Sequence, residues 1–596
     1  MTEKSHVLKP TKNRPFPSVY YFLDTETELT PIGHKTKVHT LKMGVCQKFT
    51  RSQDNQLEFD DEIIIRSSVE FIEWLDTNLK GKSHPYIIAH NIVYDATILD
   101  LFRKLPEIDF KLQSIYSKGQ VCIIRWKRND TRITMLDNGN IFAGTLERWG
   151  KIFYVPKIAI DFDTCTDNEL QIYCRRDVEI MVRSWQTWID FITHNDCGGF
   201  RETVGSTAFN TWRHKYLMRE VFVHKTPNVL QLEREGYHGG RVEAFHQGRL
   251  WTDHYYYLDI NNMYGFVMQN SKYPTGLQGY SRTLPLKRMI GYLSRYSVMA
   301  RVTVNVDKPV FISKVNGHAA YPLGRFQTVL TTHELEYALT NGWIESLQEF
   351  SWYKQDEIFT DFIQDYYIMR LGYRQSGNTG FEAICKLLIN SLYGKFGQTG
   401  INQKIIGQSK YDEIWTMPTI NAQTGKRGVI TSLGGSIYET QPEGESYHSM
   451  PVIAAHVTAN ARLYLWSLIE KAGRENVFYC DTDSLIVNRM GYYNLEGEIQ
   501  DNILGKLKIE TQSPYLIVNA PKDYEMSERR KIKGIRFNAT QIDDNTFLQE
   551  QWVKLAGLIR QGFENGYTSK EITKHQERII YSGVVTETGR IDPFHL

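Results

Sequence analysis

One short acidic segment limits what this chain can be more than any other feature. Tyr479-Cys480-Asp481-Thr482-Asp483-Ser484 sits between the apolar runs Val477-Phe478 and Leu485-Ile486-Val487. Two strands around a tight turn satisfy that pattern, and the turn then carries carboxylates at its tip. A local Asx-turn accounts for a lone acid-Thr-acid triplet. That account weakens because a second apolar strand, Tyr255-Tyr256-Tyr257-Leu258-Asp259-Ile260, also ends in an acid. Asp259 beside Asp483 would make a two-carboxylate cradle for a pair of Mg²⁺ ions, the arrangement nucleotidyl transfer needs.

A helix supplies the opposite charge. Lys386, Asn390 and Tyr393 fall on one helical face, followed by Gly394. Lysine holds phosphate as a point charge, and an aromatic next to a glycine can pack against an incoming base pair. Taken singly, an amphipathic helix with a solvated lysine and a core tyrosine explains the same residues.

The first third carries three further acidic pairs. Asp24 and Glu26 alternate along a strand end and so share a face. Asn91 with Asp95, and Tyr173 with Asp177, are spaced one helical turn apart. Gathered together, Asp24, Glu26, Asp95 and Asp177 would repel one another unless cations neutralised them. The economical reading is a two-metal centre that hydrolyses phosphodiesters, with Tyr173 orienting the water. Each pair alone is better read as a cap or a solvated face. The case rests on three pairs in order within one α/β block.

Composition narrows the setting. The 596 residues hold 70 Lys and Arg against 68 Asp and Glu, a net charge of +2, so affinity for nucleic acid has to come from local clustering. No apolar run approaches the roughly 18 residues of a membrane span, and the polar N-terminus has no secretory h-region. Seven scattered cysteines without a CxxC pair argue against a disulfide framework or zinc ribbon and for a reducing cytoplasm. Gly81-Lys82-Ser83 is not a P-loop, because Asp76 stands where the pattern requires glycine.

Tyr479–Ser484, the Lys386–Gly394 helix and Asp259–Tyr264 resemble motifs C, B and A of family B DNA polymerases. Asp24-Thr25-Glu26, Asn91–Asp95 and Tyr173–Asp177 resemble that family's three proofreading exonuclease motifs, in the family's order. The resemblance runs from about Asp24 to Lys533 and is nearest to the small protein-primed enzymes of bacteriophages and linear plasmids. It implies an α/β multidomain chain: an RNase H-like 3′–5′ exonuclease domain, then a right-hand polymerase of palm, fingers and thumb with two subgroup insertions. The expected division is exonuclease 1–195, palm 196–301 and 450–528, insertion one 302–356, fingers 357–396, insertion two 397–449 and thumb 529–596.

The resemblance also implies roles. Asp259, Asp481 and Asp483 would be catalytic in synthesis, with Asp259 and Asp483 as metal ligands. Asp24, Glu26, Asp95 and Asp177 would hold the exonuclease metals, aided by Tyr173 and Lys157. Tyr264, Asn262, Met263, Lys386, Asn390, Tyr393 and Arg374 would bind nucleotide, Tyr264 excluding a 2′-hydroxyl. Tyr237, Gly239 and Gly240 resemble the YxGG motif that coordinates template between the two centres. His90, Asn91, Tyr94, Thr145 and Leu146 fall where the family binds single-stranded DNA. Thr458, Arg462, Lys522, Tyr524, Lys531 and Lys533 would contact template, primer or duplex. Motif A departs from the family's usual Ser-Leu-Tyr-Pro, reading Asn262-Met263-Tyr264-Gly265.

The implied cofactor is Mg²⁺, two per active site, with Mn²⁺ able to substitute. The implied partners are DNA template and primer strand, deoxynucleoside triphosphates and a terminal protein as primer. A cytoplasmic monomer with no membrane contact is expected. A polymerase extending ordinary nucleic-acid primers is the alternative. A catalytically retired DNA-binding scaffold is disfavoured because every expected metal-binding carboxylate is present.

Overall fold

The computed structural model describes residues 5–12, 15–79, 83–422, 425–563 and 566–596. The Gly81–Lys82 pair that fails the P-loop pattern lies outside them.

The N-terminal block is built on strand Val19–Ile32. It pairs antiparallel with Thr36–Arg51 and parallel with Tyr86–Ala89, which in turn runs parallel to Thr131–Asp137. The hairpin Lys111–Lys118 and Val121–Arg128 completes that side of the sheet. Helix Asp167–His194 crosses the sheet. Its start is fixed by a capping box in which Thr166 and Glu169 satisfy each other's backbone N–H groups. Leu170, Cys174, Val178, Met181, Trp185, Trp188 and Ile192 recur at three- and four-residue steps, and all are buried.

The second centre stands on a five-stranded antiparallel sheet in the order Val242–Ala244, Val477–Asp481, Ser484–Asn488, Tyr255–Ile260, Leu507–Ser513. Helix Pro451–Ala472 lies beneath it. Proline at its first turn suits a helix start, and residues 451–462 are all buried. A helix wrapped on all sides is a core element, not a surface one. Helices Thr360–Gln375 and Thr379–Phe396 pack together and close the cavity above the sheet.

Three features bear on the expected division. The four-stranded sheet that contains residues 302–356 opens already at Tyr273–Ser281, which pairs with Ile344–Asp356. Strands Thr399–Gln408, Trp415–Ile420, Arg427–Leu433 and Ser436–Glu445 form a sheet of their own that docks on the N-terminal hairpin. There Ser436 Oγ donates to the Leu112 carbonyl at 2.9 Å and the Ile115 N–H donates to Gln403 at 2.8 Å. Residues 529–596 contribute to three sheets rather than one. Arg529–Ile532 pairs with Asp523–Met526, Tyr567–His575 pairs with Thr36–His39 of the N-terminal block, and Gly583–Val585 pairs with Ile591–Pro593. No helix among the described residues is long and apolar enough to cross a membrane.

Candidate active sites

Strand register brings the first two acids together. Asp259 stands opposite Ser484, and the Ile260 N–H donates to the Asp483 carbonyl at 2.7 Å. Thr482 turns the hairpin with a left-handed φ of 65°, and its N–H donates to the Arg241 carbonyl at 2.7 Å. That left-handed turn sends Asp481 and Asp483 to different neighbours. Asp259 and Asp483 line one cavity of about 260 Å³. Burial, then the charge of Asp259, pushes the Asp483 carboxyl up to about 6. Burial also raises Asp259, opposed by Lys508, whose Nζ is 3.5 Å from its carboxylate.

The opposite wall is cationic. Lys386, Asn390 and Tyr393 line the cavity from their helix as expected, joined by Arg370 and Lys508. Burial and the neighbouring Arg370 and Lys508 charges lower the Lys386 pKa. Asn262 Nδ2 and Arg370 Nε are buried donors with no partner. Orphaned buried donors are costly unless a ligand satisfies them. Two carboxylates facing three cations and two free donors fit divalent cations carrying a polyphosphate. Tyr264 stacks on Tyr393 with centroids 4.6 Å apart. Gly240 leaves the space they need: a Cβ there would sit 2.7 Å from Thr482 Cγ2 and 3.1 Å from the Tyr264 hydroxyl. Met263 is buried and lines the same cavity.

Several expected residues take other places. Asp481 does not join the cradle; it pairs with Lys531 at 2.9 Å and Lys522 at 3.5 Å, so those two lysines are partly engaged. Arg374 stays outside the cavity, bound to Glu382 at 2.6 Å, and Arg370 one turn earlier takes the expected position. Arg462 is buried; it donates to the His238 and Gly239 carbonyls at 3.2 and 3.1 Å and pairs with Glu334 at 3.0 Å. It therefore positions the Tyr237–Gly240 segment rather than touching DNA. Thr458 is buried and donates to the Ala455 carbonyl. Tyr524 is buried against Tyr257 and Tyr479. Lys533 is exposed. Tyr237 packs where a Gly397 side chain would otherwise be, below the next insertion.

The second centre lies at the end of strand Val19–Ile32. Asp24, Glu26, Asp95 and Asp177 influence one another's charge. Burial, then the Asp177 charge, pushes Glu26 up to about 7 and Asp24 well above the carboxylate range. Burial pushes Asp95 up to about 8, although Thr25 Oγ1 donates to it at 2.8 Å. Lys157 Nζ donates to Asp177 Oδ2 at 2.6 Å and lies 4.8 Å from the Tyr173 ring centre. Asp24 Oδ2 and Asp177 Oδ1 are buried without partners. Clustered carboxylates with orphaned oxygens fit hard divalent cations.

Beside this centre is a cavity of about 570 Å³, lined by His90 and Asn91 and, from the C-terminal strands, Arg536, Trp552 and Tyr567. Tyr94 packs on Trp552 and Tyr567 and bonds Thr27 through its hydroxyl at 2.7 Å. Thr145 is exposed and caps helix Leu146–Ile152, whereas the Leu146 side chain is buried. Asp137, not singled out in the sequence, lines this cavity and accepts from Gly139 and Ile92 N–H groups at 2.7 and 3.1 Å. Its signal was the strand-end acid in Leu136-Asp137-Asn138-Gly139.

The fold is a right-hand polymerase architecture preceded by an N-terminal α/β domain. Phi29 DNA polymerase complexed with primer-template DNA superposes with a TM-score of 0.66 over 94% of this chain and 100% of that one, at 16% identity. Residues 163–427 match the profile described as DNA polymerase type B, organellar and viral. A DNA-directed DNA polymerase of Enterobacteria phage PRD1 is 27% identical over 296 residues, 48% of this chain and 49% of that protein. A probable DNA polymerase of Neurospora intermedia is 25% identical over 334 residues, 53% of this chain. The chain spans 21–40% of the length of the fungal relatives it matches. Over residues 163–427 it is therefore similar to the type B DNA polymerases of organelles and viruses.

Proposed function

We propose that the chain is a DNA-directed DNA polymerase with a 3′–5′ proofreading exonuclease, which replicates a linear genome from a terminal-protein primer with strand displacement. The observation that carries the polymerase reading is the meeting of Asp259 and Asp483, distant in sequence, in a cavity whose other wall is Lys386, Arg370 and Lys508. Asp259 and Asp483 would hold two Mg²⁺ ions. Bound there, the ions supply activation of the 3′-hydroxyl and neutralisation of the leaving pyrophosphate. Lys386 and Arg370 bind the triphosphate, and the Asn262 amide donates to a phosphate oxygen. The Tyr264 ring, held by Tyr393, lies beneath the sugar and excludes a 2′-hydroxyl. At the other centre Lys157 fixes Asp177, and Tyr173 orients the attacking water. Protein priming is supported by the motif resemblance and by two inserted sheets, one of which bridges to the exonuclease hairpin.

The test is primer extension beside degradation of a labelled strand. Asp483→Ala loses synthesis and keeps degradation; the Asp24→Ala/Asp95→Ala pair does the reverse. Joint loss in every variant refutes two separate centres. Priming is read as covalent attachment of nucleotide to a candidate terminal protein with dATP and Mg²⁺. Extension of a DNA primer without attachment to any cognate partner would favour a nucleic-acid-primed enzyme.

A further inference from the structure

Two side chains from residues 302–356 reach the backbone beside the Asp259–Asp483 cavity. The first is Tyr321, between strands His318–Ala320 and Gly324–Thr331. The Arg241 Cζ lies 3.9 Å from the centre of its ring, and both side chains are buried. Arg241 Nε donates to Glu243 at 2.7 Å, whereas its Nη1 has no hydrogen-bond partner. The ring face therefore supports that cation from the other side. The Arg241 carbonyl in turn accepts the Thr482 N–H at 2.7 Å, at the turn between Asp481 and Asp483.

The second is Glu334, in helix Thr332–Thr340. It closes that helix's capping box with Thr331 and pairs with Arg462 at 3.0 Å, again with both partners buried. Arg462 carries the contact on to the His238 and Gly239 carbonyls at 3.2 and 3.1 Å. Gly240 comes next, and a Cβ on it would press on Thr482 and the Tyr264 hydroxyl. Both tethers thus end on the main chain of residues 238–241, the stretch wedged against Tyr264 and the acidic turn.

We propose that Tyr321 and Glu334 are positioning residues for nucleotidyl transfer. Through Arg241 and Arg462 they hold residues 238–241 and so set where Asp483 and Tyr264 stand. Neither lines the cavity. A buried ion pair adds little net stability over apolar packing of the same volume, so what the charged tethers contribute is placement. Placement matters because a shift of about 1 Å at a reacting group can slow a reaction about a hundredfold. Lys386 and Arg370 stand on other helices, so nucleotide binding is expected to change little when a tether is cut. The proposal rests on the polymerase reading above.

The experiment measures pre-steady-state nucleotide addition to a DNA primer by the full chain in Mg²⁺, over a range of deoxynucleotide concentrations, with the burst amplitude counting folded enzyme. Tyr321→Leu removes the ring face. It is expected to lower the maximal rate about tenfold or more while half-saturation stays within about twofold of wild type. Tyr321→Phe keeps the face and loses only a hydroxyl that has no partner, so it is expected to match wild type. A Tyr321→Leu rate equal to wild type overturns the proposal, because the ring then serves folding alone. A Tyr321→Phe variant as slow as Tyr321→Leu also overturns it, as does a rate loss matched by an equal rise in half-saturation. Should Tyr321→Leu fail to fold, Glu334→Gln decides, since it keeps an oxygen for Thr331 and Arg462 but removes the charge. That variant is expected to slow the maximal rate about threefold or more at unchanged half-saturation, and wild-type kinetics overturn the proposal. If the wild type adds no nucleotide, the polymerase reading fails; if it does and the variants behave like it, only the positioning role fails.

Discussion

Metal-free, the cluster of Asp24, Glu26, Asp95 and Asp177 should make the chain less stable as pH rises, and Asp95 isolates the effect. Its carboxyl is buried beside Asp137 and Glu26, and burial moves it from 3.8 to about 8. Asp24, Asp177 and Lys157 complete the charged surroundings of the cluster. The folded chain thus holds the Asp95 proton more tightly than the unfolded chain. The stability tied to that proton is complete below about pH 4 and is lost progressively as pH climbs to about 8. Four pH units at about 1.4 kcal/mol each set a ceiling of about 6 kcal/mol, and relaxation around the charge leaves a few. Asp95→Asn keeps the acceptor for Thr25 Oγ1 but cannot ionise. Denaturant unfolding with chelator present should show wild type and Asp95→Asn nearly equal near pH 4. The variant should be more stable by about 2–4 kcal/mol at pH 8. Added Mg²⁺ should close that gap by stabilising only the wild type. Parallel profiles of the two proteins from pH 5 to 8 would refute the placement of Asp95 in a desolvated, like-charged cluster.

Three further outcomes test the proposed synthetic centre. Tyr264→Val should relax the choice of deoxyribonucleotides over ribonucleotides by roughly a hundredfold in single-turnover incorporation, because the ring beneath the sugar is removed. Arg370→Ala should raise the KM for deoxynucleotide by about tenfold or more, since it removes a cation and an unpartnered buried donor from the cavity wall. Arg374→Ala breaks contacts with Glu382 and Asn502 outside the cavity and should change KM by less than about threefold. Equal effects of the two arginines would mean that the cavity wall is wrongly assigned.

The parts of the sites legible in the sequence were those set by local periodicity. A strand places alternate residues on one face, which picks out Asp24 with Glu26. A helix returns every three or four residues, which aligns Lys386, Asn390 and Tyr393 and likewise Tyr173 with Asp177. An acid at an apolar strand end marks Asp259 and Asp483. Chain order then matched these local signals to a known arrangement.

Tertiary structure decided what periodicity leaves open. Arg370 and Arg374 share a helix face one turn apart, and only the packing of two helices over the sheet shows which enters the cavity. Asp481 and Asp483 look interchangeable until the left-handed Thr482 sends the first to Lys531 and the second to Asp259. Arg462 and Thr458 are expected from the resemblance to contact template or primer, but their helix is surrounded by other elements, so one braces the Tyr237–Gly240 backbone and the other bonds its own helix. Tyr567–His575 joins a sheet begun more than 500 residues earlier, bringing Trp552 and Tyr567 to the cavity lined by His90 and Asn91. The physical reason is the same in each case. Local sequence sets which face a side chain shares, whereas burial and charge depend on which distant segment comes to cover that face.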